Sequence, residues 1–115
     1  MGRGEGVSQL QTLQVRAFNV AQEHGFTDAS FGERIALVHS ELSEALEAYR
    51  DTGNTRAIWY REGDAKPEGV AFELADAVIR ILDLCENEGI DLERAIEEKS
   101  DYNETRPFRH GNKHL

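Results

Sequence analysis

The chain of 115 residues holds one cysteine, Cys85. A disulfide framework within the chain is therefore excluded, and a reducing cytoplasm is the expected compartment. Cys85 itself sits in an apolar stretch and reads as ordinary core. No apolar run reaches about 18 residues without charge, so no transmembrane helix and no membrane partner are expected. The opening "MGRGEGVSQL" also lacks the apolar core of a signal peptide. Basic residues are the minority: 13 Lys and Arg face 22 Asp and Glu, for a net charge of −9. That balance argues against nucleic acid as a partner, because such binding rests on basic surface. A small polyanion would be repelled as well, unless metal ions and a local basic cluster reverse the field. Strand alternation, internal repeats and low-complexity tracts are missing too.

What is there is helical periodicity. Residues 7–24 carry Val7, Leu10, Leu13, Ala17, Phe18 and Ala21 at spacings of three and four, and Gly25 stops the run. Residues 31–51 form a second helix, with Gly53 just beyond its end. A third starts near "KPEG", with Pro67 acceptable in its first turn, and runs to about Glu88 before Gly89. Asp91 is a good N-cap for a fourth helix, which must end before Pro107. Residues 1–6 read as a flexible start and 105–115 as a basic tail. The expected fold is all-α: a single four-helix bundle-like domain over residues 1–115. The third helix is apolar nearly all round, and three partner helices are few to cover it. A core completed by homo-oligomerisation, as a homodimer or homotetramer, follows from that. The link of about eighteen residues at 52–69, with Trp59 and Tyr60, is long for a compact domain.

Carboxylates interrupt this pattern where they are least expected. In "GVAFELADAVIRILDLC", residues 69–85, Glu73 and Asp76 lie one turn apart inside an apolar helix. Buried carboxylates are costly unless they are paired or hold a metal. Helix two repeats the oddity. Glu41 and Glu44 are three apart in "VHSELSEALEA" and border its core face, while His39, Ser43, Glu47 and Arg50 occupy the solvated arc. If the two helices are antiparallel neighbours, four carboxylates converge. Oxygen donors of that kind suit hard cations, Mg²⁺ or Mn²⁺. The plainer reading is that Arg34 and Arg80 pair with some of these acids.

Other chemistries fail on the page. None of the four histidines follows a glutamate by three, so the Glu-x-x-His of di-iron bundles is absent. Structural zinc lacks its cysteines. No nucleophile elbow or Gly-rich phosphate loop occurs. The last seventeen residues, "KSDYNETRPFRHGNKHL", reverse the local charge. Lys99, Asn103 and Arg106, spaced four and three apart, would share a helix face and suit phosphate, with Arg109 beyond them.

Taken together, E-x-x-E at Glu41/Glu44 and E-x-x-D at Glu73/Asp76, in that order, resemble the MazG-like all-α nucleoside triphosphate pyrophosphohydrolases. "KPEGVAFELADAVIRILDLC" is similar to the family's second acidic stretch, and "KSDYNETRPFRHGNKH" to its nucleotide-binding tail. The resemblance covers roughly residues 31–114. It departs at Ser40, where the family usually has a glutamate. It implies Mg²⁺ held by Glu41, Glu44, Glu73 and Asp76, with Mn²⁺ a substitute. It implies water attack on the α-phosphorus of a nucleoside triphosphate, with Glu41 or Glu44 as the base. Lys99, Asn103, Arg106 and Arg109 would neutralise phosphate, and Trp59 or Tyr60 would stack on the base. A competing expectation is a non-catalytic oligomerisation or regulatory module that retains the fold.

Overall fold

The computed structural model describes residues 6–107. Four helices account for most of them: α1 (Gln9–Glu23), α2 (Phe31–Thr52), α3 (Val70–Glu88) and α4 (Leu92–Thr105). The fold is all-α and bundle-like. Each helix begins and ends where local chemistry dictates. Ser8 and Ser30 close capping boxes with Gln11 and Glu33, each serine hydroxyl accepting from the third backbone N–H while the longer side chain accepts from the cap. The Ser30 bonds hold the Glu33 carboxyl below its ordinary range. The Asp91 carboxylate accepts from the Arg94 N–H at 3.1 Å and opens α4. At the other ends, Gly53 and Gly89 take the left-handed conformation that stops α2 and α3.

The link between α2 and α3 is more ordered than its sequence suggests. A short antiparallel ribbon pairs β1 (Trp59–Tyr60) with β2 (Pro67–Glu68). Pro67 therefore does not enter the first turn of α3: it lies in β2, and Gly69 caps the helix instead. Gly69 is required there. Its φ is 130°, and a Cβ would run into the Ala57 carbonyl. The turn of the ribbon is closed by Arg61 and Asp64, whose ion pair holds the Asp64 carboxyl at about 2. The ribbon is fastened to the bundle by Tyr60, which meets Phe72 edge-on at 6.1 Å between ring centroids.

α3 is the spine, with α1 and α2 both packed along it. Arg34 near the start of α2 reaches Asp83 near the end of α3 at 3.0 Å, and Glu41 further along α2 meets Arg80 at 2.9 Å. Successive pairs run in opposite directions, so α2 and α3 are antiparallel. Gln14 of α1, itself buried, donates to the Glu86 carboxylate and to the Ile90 carbonyl at the end of α3. The core is thin: Ala17, Ala45, Ala77, Leu82, Leu84 and Cys85 are its buried apolar members. α4 stands apart. It packs along none of the other helices, and none of its residues is buried.

Arg34 is the polar anchor of this arrangement. Besides Asp83, its guanidinium donates to the carbonyls of Ala29 and Phe26, tying the α1–α2 turn to α3. Its side chain is only 7% exposed, so removing it strands a buried carboxylate. Arg34→Met is expected to cost about 3 kcal/mol in urea unfolding, and Arg34→Met/Asp83→Leu to recover most of that loss. A single-variant loss well under 1 kcal/mol would show that the pair is not an anchor.

Candidate metal and substrate site

Antiparallel packing of α2 on α3 fixes the register of the acidic residues. Glu41 faces α3 one turn from Asp76 and Glu73, and the three carboxylates offer oxygens within 4.8 Å of one another. Glu41 and Glu73 are half-buried, and Asp76 is exposed. Glu44 stands outside this group, exposed, although its charge is still felt at Glu73. The four expected ligands therefore come together as three, with Glu44 at the margin.

The electrostatics are those of an under-compensated anionic cluster. Burial, then the negative charges of Asp76 and Glu41, push the Glu73 carboxyl above its ordinary range, against a smaller opposing pull from Lys66. Asp76 is raised by burial and by Glu41, with Arg80 and Lys66 acting the other way. Among the described residues Arg80 is the one cation in direct contact, through Glu41. The plainer reading of the sequence is thus realised at Glu41, while Glu73 and Asp76 form no ion pair among the described residues. Three oxygen donors with residual negative charge suit a hard divalent cation.

Beside the carboxylates lies a cleft of about 350 Å³ between α1 and α3. Its charged lining is Glu41, Asp76, Arg80 and Asp83; the rest is apolar, chiefly Val20, Ala21, Phe26 and Ile79, with His24. A site of this size, largely apolar with a few convergent polar groups, is the usual form of a small-molecule pocket. The part played by α1 was not visible in the sequence, because Val20, Ala21 and His24 read as an ordinary helix end. Arg80 was visible only as a salt-bridge partner, not as a wall of the cleft.

Other expected site residues lie elsewhere. Lys99 and Asn103 are on exposed α4, and Lys99 rests over the Tyr102 ring at 5.0 Å. Arg106 is past the helix, in extended backbone as its C-cap, so the three do not form one helical face. None of them lines the cleft. Trp59 is in the ribbon, where its indole N–H donates to Glu68 at 2.8 Å. Arg109 lies outside the described residues, as do most of the basic tail and residues 1–5. Among known proteins, no family model, curated protein or solved structure matches this chain.

The charge pattern fixes a sign. Glu73 and Asp76 hold protons more tightly in the folded chain than in the unfolded one. Their contribution favours folding at low pH and is lost as pH rises through the raised carboxylate range. Without divalent cations, Glu73→Gln is therefore expected to raise Tm at pH 7 and to leave it unchanged near pH 3. Melting curves in EDTA across that range test this; a Tm lowered at pH 7 would mean that Glu73 is structurally paired.

Proposed function

We propose that the chain is a Mg²⁺-dependent nucleoside triphosphate pyrophosphohydrolase of the MazG-like type, cleaving a (d)NTP to the monophosphate and pyrophosphate. The observation that carries this reading is the trio Glu41, Glu73 and Asp76, of which Glu41 and Asp76 line a mostly apolar cleft. The order of the acidic pairs along the sequence supports it independently.

On this reading Glu41, Glu73 and Asp76 hold Mg²⁺, with Mn²⁺ able to replace it. When bound, the ion offsets phosphate charge and lowers the pKa of water. The residues of the chain do the rest. The apolar wall of the cleft takes the base and sugar, leaving the triphosphate beside Glu41 and Asp76. Arg80, bound to Glu41, and Lys66, whose charge is felt at Glu73 and Asp76, oppose the charge that builds on the phosphates. Glu44 has no ion-pair partner among the described residues and stands beside Glu73, which makes it the better placed base. It takes one proton from the attacking water as the water oxygen bonds to the α-phosphorus and the bond to the β-phosphate bridging oxygen breaks. Lys99, Asn103, Arg106 and Arg109 enter this scheme through the family resemblance, and Trp59 as a base-stacking residue likewise.

The ion pair between Arg80 and Glu41 favours a second reading, a non-catalytic helical module whose acids are structural. Product analysis separates the two. Across the common NTPs and dNTPs, Mg²⁺ is expected to support release of pyrophosphate and a monophosphate, and EDTA to abolish it. Asp76→Ala should lower kcat by roughly 100-fold or more with the helical circular dichroism retained. No turnover of any nucleotide, or orthophosphate as the product, would sink the enzymatic reading.

A further inference from the structure

Asp83 is only half satisfied. Its Oδ2 accepts from the Arg34 guanidinium at 3.0 Å, while its Oδ1 is buried and has no hydrogen-bond partner among the described residues. A carboxylate oxygen left buried and unpaired costs free energy and calls for a partner. A candidate donor stands one turn back on the same helix. At 100° per residue, Asp76, Arg80 and Asp83 fall within roughly 60° on α3. Side chains three apart on a helix can reach one another. Arg80 and Asp83 line the main cleft together, and also a second cavity of about 30 Å³ between them and Arg34 and Leu37.

Arg80 nevertheless faces the other way, its Nε donating to Glu41 at 2.9 Å. That is its one hydrogen bond among the described residues, where Arg34 makes three. Its side chain is 36% exposed against 7% for Arg34, so it is far less tightly held. The carboxylates on either side of it are matched in burial, at 14% exposed for Glu41 and 15% for Asp83. Burial raises the Asp83 carboxyl, and the charges of Arg34 and then Arg80 oppose that rise, so Arg80 is already felt there.

We propose that Arg80 is a displaceable counter-ion with two seats: Glu41 when the carboxylate trio holds no cation, and Asp83 when it holds one. This rests on the reading of the trio as a metal site. A guanidinium on Glu41 and a divalent ion among Glu41, Glu73 and Asp76 repel each other at close range. Arrival of the ion therefore drives Arg80 off Glu41, and the open oxygen of Asp83 receives it one turn along α3. The exchange leaves Glu41 paired in both states. Metal affinity is then set by the difference between the two seats, which makes Asp83 a positioning residue that acts through Arg80.

The arginine Nε–H resonances of the isotopically labelled full chain, followed by NMR as Mg²⁺ is added, test this on the wild type. Arg80 is assigned by the resonance lost in Arg80→Lys. Its resonance is expected to shift saturably and to stay protected from solvent exchange, because a carboxylate holds the N–H in either seat. A resonance that does not move leaves Arg80 on Glu41 and overturns the proposal. One that moves and loses its protection places the freed guanidinium in solvent, and overturns it too. Mn²⁺ affinity adds a double-mutant cycle. Asp83→Asn is expected to weaken binding roughly tenfold in the wild type, but only about twofold beside Arg80→Met, which alone tightens binding. Equal factors in both backgrounds would mean that Asp83 acts by its charge and not through Arg80, against the proposal. A wild type that binds no Mn²⁺ removes the metal reading and this inference with it. Saturable Mn²⁺ binding with Arg80 unmoved removes this inference alone. The resonance is read on the wild type, so it decides the matter even if Asp83→Asn fails to fold.

Discussion

The antiparallel contact of α2 with α3 is the constraint on which the rest of the molecule depends. It is held by two arginines reaching across it in opposite senses, Arg34 to Asp83 and Arg80 to Glu41. Small residues on the inner faces, Ala45 and Ala77, are among the most buried in the chain. Once that register is set, Glu41 has no choice of neighbours: Glu73 and Asp76 lie one turn along the facing helix. The acidic trio follows from the helix pairing, with no loop needed to build it.

That placement works against stability. Three carboxylates share one small volume, two of them are held above their ordinary titration range, and only one is directly paired. A sequence selected for stability alone would place a lysine or an apolar residue at Glu73 or Asp76. In the proposed function a divalent cation would offset the repulsion, and the adjoining cleft would hold what that ion acts on. The same economy explains the thin core. α3 serves α1 on one side and α2 on another, which leaves part of its apolar arc, and part of that of α2, exposed.

Much of this was legible in the sequence because it is local. Gly53, Gly89 and Asp91 punctuate the helices as cap chemistry requires, and the 3.6-residue period shows which carboxylates border a core. The ribbon was not legible: two-residue strands at Trp59–Tyr60 and Pro67–Glu68 have no periodicity to detect, and Pro67 is equally at home in a first helical turn. Distance from the trio was not legible for Glu44 either. Its spacing puts it on the same side of α2 as Glu41, yet it stands exposed outside the trio with only its charge felt at Glu73. The basic residues of α4 show the clearest limit. An amphipathic period says that a face wants cover and is silent on what supplies it, and α4 has little along α1, α2 or α3.

The central claim is that the trio on α2 and α3 is a divalent-cation site. Its most direct test is titration of Mn²⁺ into the full chain, followed by electron paramagnetic resonance of the free ion. Saturable binding is expected, competed away by Mg²⁺ and weakened at least tenfold by Asp76→Asn or Glu73→Gln. Binding that is non-saturable, or unchanged in both variants, would contradict it and leave Glu41, Glu73 and Asp76 as a structural cluster.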